Sequence, residues 1–124
     1  MNNILKLIIG ISLITALFSC KKNQTGGKGS VKGMVEHHGK AIADAFVYIK
    51  FNATEFPGDD YTNYDTYVKT DANGNYSIAF YKGSYYLYAK GYDMDIPYPF
   101  EVKGGLPVSL KNKENITKNI SVTE

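Results

Sequence analysis

The stretch Thr70-Asp71-Ala72-Asn73-Gly74-Asn75-Tyr76-Ser77-Ile78-Ala79-Phe80, continued by Tyr81-Lys82-Gly83-Ser84-Tyr85-Tyr86-Leu87-Tyr88-Ala89, holds two apolar runs of period two, each entered through a turn. Asn73-Gly74 offers the positive φ that a tight turn asks for, and Asp71 is placed to accept from the turn's amides. Beyond it Tyr76, Ile78 and Phe80 share one face. After Lys82-Gly83 the next inward set is Tyr85, Leu87 and Ala89. The pattern predicts a hairpin at residues 71–75 and a further strand behind it.

The same period extends outward from this centre. Upstream, Val31, Gly33 and Val35 alternate with Lys32 and Met34, and His37-His38-Gly39-Lys40 reads as a turn. Ala45, Val47, Ile49 and Phe51 then fall on one face, with Phe46, Tyr48 and Lys50 on the other. Residues 52–64 form a long polar loop, after which Thr66, Val68 and Thr70 resume the alternation. Downstream, residues 91–99 read as a loop because Pro97 and Pro99 bar a central strand. Phe100–Val102, Val108–Leu110 and Ile116–Val122 supply the last segments. About seven short strands with frequent turn residues predict an all-β chain, a single Greek-key β-sandwich.

The amino terminus has a different character. Lys6 is followed by an apolar run from Leu7 to Phe18 that ends at Ser19-Cys20-Lys21-Lys22, too short for a membrane-spanning helix and of the length of a signal-peptide core. Leu17-Phe18-Ser19-Cys20 resembles the bacterial lipobox. The resemblance implies a lipoprotein signal peptide at residues 1–19, acylation of Cys20, and attachment to a membrane through that lipid. Cys20 is the single cysteine of 124 residues, so no disulfide is available. Residues 20–29, the lipidated cysteine and a glycine-rich polar run, read as a flexible tether, with the domain at residues 30–124. Lys21 is not the aspartate associated with inner-membrane retention in enterobacteria. The expected location is the cell envelope, at the outer membrane.

Laid end to end, the body resembles the carboxypeptidase regulatory-like family, a transthyretin-like β-sandwich. The residues that carry the likeness are Val31-Lys32-Gly33, Gly39, Ala45-Phe46-Val47-Tyr48-Ile49, Thr70 to Tyr76, and Gly83-Ser84-Tyr85-Tyr86-Leu87 with Gly91-Tyr92. Ile42 stands where the family often has proline. The resemblance implies an accessory module without catalysis, here as a stand-alone lipoprotein of the Bacteroidetes type, with no cofactor.

Several function classes are disfavoured by residue type. All fourteen basic residues are lysines and the formal net charge is +2, so the bidentate arginine forks of nucleic-acid recognition are missing and no nucleic acid is expected. His37 and His38 are adjacent in a turn and point apart, which makes a poor metal pair, and no His-Glu-x-x-His set occurs. Asp71, Asn73 and Asn75 read as a structural turn around Gly74 rather than a calcium loop. Asp59, Asp60 and Asp65 form a second acidic cluster, a weak calcium candidate on a loop. Tyr81-Lys82-Gly83-Ser84 is similar to the ending of hydroxyisourate hydrolases, but it is internal and lacks their arginine and histidines.

The most unusual feature is tyrosine, eleven residues between Tyr48 and Tyr98 with no tryptophan in the chain. The alternation points Tyr48, Tyr86, Tyr88 and Tyr92 outward beside Lys50 and Lys90. Such a stripe suits a protein partner or a sugar ring. High β propensity and cross-strand aromatic pairing give it a purely structural use as well. The expected role is a non-enzymatic envelope module that meets a protein partner. A carbohydrate-binding lipoprotein and a structural component are the alternatives.

Overall fold

A computed structural model describes residues 21–124. The signal at residues 1–19 and the lipidation site Cys20 lie outside the described residues. Nine strands form: β1 (Thr25–His37), β2 (Lys40–Ala41), β3 (Phe46–Phe51), β4 (Thr66–Lys69), β5 (Asn75–Phe80), β6 (Gly83–Tyr92), β7 (Glu101–Leu110), β8 (Asn115–Thr117) and β9 (Ile120–Ser121), with one 3-10 turn at Tyr61–Asn63. The all-β sandwich expected from the alternation is therefore present. Relative to the segments read from the alternation, the short β2 and the division of Ile116–Val122 each add a strand, while Glu101–Leu110 runs unbroken where two segments were expected.

In the first sheet β1 is central. The antiparallel β5 and β2 line one edge, and β8 and β9 pair in parallel on the other. The second sheet has the order β4-β3-β6-β7, all antiparallel. Between them lie Val31 and Val35 of β1, Val47 and Ile49 of β3, Ile78 and Phe80 of β5, and Tyr85 and Leu87 of β6, all buried. Phe80 and Tyr85 stack at 4.0 Å between ring centres across the sheets. Pro107 is tolerated because β7 is an edge strand.

The turn at Asp71–Asn75 forms as its sequence predicts. Asp71 Oδ1 accepts from the amides of Asn73 and Asn75, at 2.9 Å each, and Gly74 has φ of 75°. The predicted hairpin does not. β4 belongs to the second sheet and β5 to the first, so the turn carries the chain from one layer to the other. The reason is a competing partner: Val35 N–H donates to the Gly74 carbonyl at 2.9 Å, and β5 pairs with β1 from Met34 back to Thr25. Lys82-Gly83 makes a second crossing in the same way, since β5 and β6 also lie in different sheets.

The expected tether at residues 20–29 is corrected in its described part. β1 begins at Thr25, not near Ser30, and the residues before it are also fixed. Asn23 N–H donates to the Lys82 carbonyl at 2.9 Å, and Tyr81 N–H donates to the Gln24 carbonyl at 3.0 Å. Gly26 and Gly27 lie against the Tyr81 ring, where side chains would collide. A glycine-rich run with nothing to bury can still be ordered when its backbone is paired and its lack of side chains admits a ring.

The carboxyl terminus closes one side of the sandwich. Val122 N–H donates to the Glu36 carbonyl in the first sheet, and Thr123 exchanges both backbone bonds with Lys103 in the second, each at 2.9 Å. Gly104 makes this approach available, since a methyl there would overlap the Ser121 carbonyl oxygen.

Candidate functional site: an aromatic face and its cleft

The outward positions of the second sheet can be read rung by rung. Tyr48 pairs with Tyr88 and Lys50 with Tyr86 across β3 and β6. On β6 and β7 the rungs are Tyr86 with Pro107, Tyr88 with Gly105, Lys90 with Lys103, and Tyr92 with Glu101. The four tyrosines expected to share a face do so. Phe46 and Tyr67 extend the row, at 5.8 Å and 6.2 Å from Tyr48 between ring centres, and the Lys69 ammonium sits 4.9 Å over the Phe46 ring.

The stripe is not bare, because residues 52–65 fold back across it. Asp65 anchors the return, accepting from Phe51 N–H at 2.7 Å while its own N–H donates to Ile49 at 2.9 Å. Inside the loop Tyr64 O–H donates to Gly58, Asn63 Nδ2 donates to Pro57, and Asp60 caps the 3-10 turn. Tyr64 stacks on Tyr88 at 5.8 Å and 18°, and Phe56 meets Tyr88 edge-on at 5.0 Å. Tyr88 is consequently 3% exposed, which corrects the expectation that it projects into solvent. Tyr48 and Tyr86 are half-buried, and Tyr92 stays open at 60%.

Beneath this loop the electrostatics are local. Tyr88 O–H donates to Asp59, whose other oxygen lies 3.4 Å from Lys103 Nζ. These two bonds hold the Asp59 carboxyl below the usual carboxylate range. Burial, and then the hydrogen bond to Asp59 and its charge, push the Tyr88 hydroxyl well above its ordinary value. Burial likewise raises Tyr48, Tyr64 and Tyr86. The acidic cluster weighed as a calcium site does not converge. Asp59 serves Tyr88, Asp60 caps Thr62, and Asp65 holds Phe51 and faces Lys50 at 3.7 Å. Among the described residues no group of three potential metal ligands occurs.

A cleft of about 410 Å³ opens where the loop stops short of β7. Phe56 and Tyr86 wall it, Asp59, Lys103, Thr123 and Glu124 rim it, and Gly104 and Gly105 give it a floor without side chains. Tyr86 leans across Gly105, within 2.8 Å of where a side chain would start. A cavity of about 560 Å³ on the first sheet is lined by Lys32, Met34 and Asp71 together with short polar residues such as Ser77, Thr117 and Asn119. Its ring, Tyr76, is buried with its hydroxyl bonded to the Lys118 carbonyl. The first cleft combines open ring faces with a carboxylate and an ammonium, which are recognition groups for a polar ligand with apolar faces.

A second cluster lies at the end of β1. His37 is not the turn filler expected from its sequence. It is 3% exposed, with Nδ1 at 2.7 Å from Asp93, and among the described residues its Nε2 is the buried side-chain atom without a partner. Asp93, 4% exposed, also receives Lys40 Nζ at 2.9 Å and the Asp95 N–H at 3.0 Å. The bonds from His37, Lys40 and Asp95 together hold its carboxyl far below the ordinary range. Lys40 reaches Asp95 too. This cluster fixes the base of the loop that presents Met94 and Tyr98, the latter 85% exposed. The signal for His37 was in the sequence, since it continues the inward phase of Val31, Gly33 and Val35.

No protein-family model matches the sequence, and no curated protein matches it. Among solved structures the fold is similar to that of a candidate carbohydrate-binding protein from Pseudomonas aeruginosa, with a TM-score of 0.57 and 13% identity over 80% of this chain and 91% of that one. A DUF3823 family protein from Parabacteroides merdae aligns over 79% of this chain and 47% of its own, at 21% identity and a TM-score of 0.48. The first likeness is one of fold, a bacterial β-sandwich.

Proposed function

We propose that this chain is a non-catalytic accessory module of the bacterial cell envelope, of the carboxypeptidase regulatory-like type and anchored through Cys20, and that the cleft between Phe56 and Tyr86 binds carbohydrate. The observation that carries the reading is the cleft itself: two partly open rings meet a carboxylate, an ammonium and a glycine floor. A pyranose has one apolar and one hydroxyl-bearing character, and such a wall-and-rim arrangement answers both. A flat protein interface is less well served, because the loop at 52–65 buries Tyr88 and breaks the stripe into hollows. The description of the Pseudomonas protein as carbohydrate-binding points the same way.

Affinity electrophoresis of the protein through gels holding starch, xylan or mannan tests the reading. Retardation by at least one polymer, lost in Tyr86→Ala and Phe56→Ala, is the expected result, with no new reducing ends released on long incubation. Free migration in every gel, with a single protein captured by a photo-crosslinker at position 86, overturns it. Labelled palmitate should enter the wild-type chain and not Cys20→Ala, in an outer-membrane fraction.

A protein partner keeps one surface in its favour. Met94 and Tyr98 stand exposed on a loop whose base Asp93 fixes through His37 and Lys40. Crosslinking from position 98 addresses that surface separately.

A further inference from the structure

We infer, on the strength of the carbohydrate reading, that the ligand is an uncharged polymer gripped along an internal stretch, with Tyr92 as a second platform beyond the cleft. Tyr86 and Tyr92 share the outer face of β6, six residues apart, which is about 20 Å at the rise of a strand. That separation exceeds any single sugar ring and matches a run of several. A second hollow of about 170 Å³ lies at the Tyr92 end, lined by Phe46, Tyr48, Lys90, Gly91, Tyr92 and Glu101.

Between the two platforms Tyr88 lies under the loop at 52–65, and the ground beside it on β6 and β7 is polar. Lys90 and Lys103 stand directly opposite one another on neighbouring strands, a disfavoured pairing unless carboxylates lie near. Asp59 supplies one at 3.4 Å from Lys103, Glu101 stands on the next rung, and Glu124 rims the cleft. Lysines and carboxylates thus alternate with no net positive field to draw an acidic polymer. They offer donors and acceptors to the hydroxyls of a neutral one. Tyr92 is open to solvent at one end, and at the other the Tyr86 ring lies over Gly105 as the wall of the cleft. Two ring platforms about 20 Å apart, each beside its own hollow, suit a chain lying across both rather than a chain end.

Calorimetry on the detergent-solubilised full chain tests this with malto-, xylo- and manno-oligosaccharide ladders from disaccharide to octasaccharide, and with polygalacturonate as the acidic comparison. Affinity for the ladder that binds should climb with length and then level. Tyr92→Ala should weaken the longest member roughly five- to tenfold and leave the disaccharide unchanged. Lys32→Ala, removing an exposed side chain on the opposite sheet, should alter neither. A disaccharide bound as tightly as the octasaccharide, or an octasaccharide indifferent to Tyr92→Ala, overturns the extended groove while the cleft reading stands. Preference for polygalacturonate overturns the neutral ligand. Binding of no sugar at all removes the cleft reading along with the groove.

Discussion

Thr70 is a sharp test of how the two layers are joined. Its buried hydroxyl donates to the Ile42 carbonyl and accepts from Ala45 N–H, each at 2.8 Å, while its own N–H donates to the Ala45 carbonyl at 2.9 Å. One side chain thereby ties the entry to β3 to the exit of β4, where the chain leaves for the other sheet. Thr70→Val keeps the shape and removes the hydroxyl. It strands a donor and an acceptor beside Ile42 and Ala45, which are buried too deeply for water to serve them, at a cost of about 2–4 kcal/mol. Thr70→Ser keeps both bonds and loses one buried methyl, a cost of about 1 kcal/mol. In a domain of this size the valine variant should melt roughly 10–25 °C lower and the serine variant only a few degrees lower. Urea titration at constant slope measures the same difference. A valine variant as stable as the serine variant would refute the claim that these bonds hold the crossing.

Other consequences can be checked singly. Asp93 has a depressed folded pKa, so its contribution is present above the ordinary carboxylate value of about 4 and is lost as pH falls. Asp93→Asn should therefore destabilise at neutral pH and flatten the acid limb of the melting curve. Tyr64, Tyr76 and Tyr88 have raised values, so the folded state keeps their protons and loses stability as pH rises through the unfolded value of about 10. In an alkaline absorbance titration their ionisation should coincide with unfolding, and Tyr88→Phe should reduce that step. Gly104→Ala should cost roughly 1–3 kcal/mol, with faster amide exchange at Lys103 and Thr123, because a methyl there forces the carboxyl-terminal bridge apart.

The fold was legible wherever a period of two could report burial. Ala45, Val47 and Ile49 are buried as the alternation requires, as are Tyr76, Ile78 and Phe80. What alternation cannot report is which strand an edge chooses. Asp71–Asn75 has every local mark of a hairpin and makes the hydrogen bonds of one, yet β5 pairs with β1, 47 residues earlier at Val31–Ile78. The turn chemistry is satisfied by either topology. The long-range choice depends on Val35 meeting Gly74 and on Thr70 meeting Ile42, contacts that no local window contains. The ordering of residues 23–29 escaped for a related reason, since glycines chosen to admit the Tyr81 ring look in sequence like those of a linker.

The site was half legible, and the missing half is its shape. Alternation alone puts Tyr48, Tyr86, Tyr88 and Tyr92 on one face, and a sheet face so read is flat. The relief comes from residues 52–65, whose sequence looks like solvated loop but whose Phe56, Asp59 and Tyr64 each find Tyr88. Covering Tyr88 satisfies its hydroxyl and buries its ring, so the loop is held by the most central member of the stripe. What the loop leaves open is then set by its length: Phe56 reaches the edge of Tyr86 and stops before Gly104 and Gly105. A stripe of tyrosine thus divides its work, with Tyr88 as anchor for a loop and Tyr86 and Tyr92 as open faces on either side. Substitution at Tyr88 should disturb folding and recognition together, whereas substitution at Tyr92 should touch recognition alone.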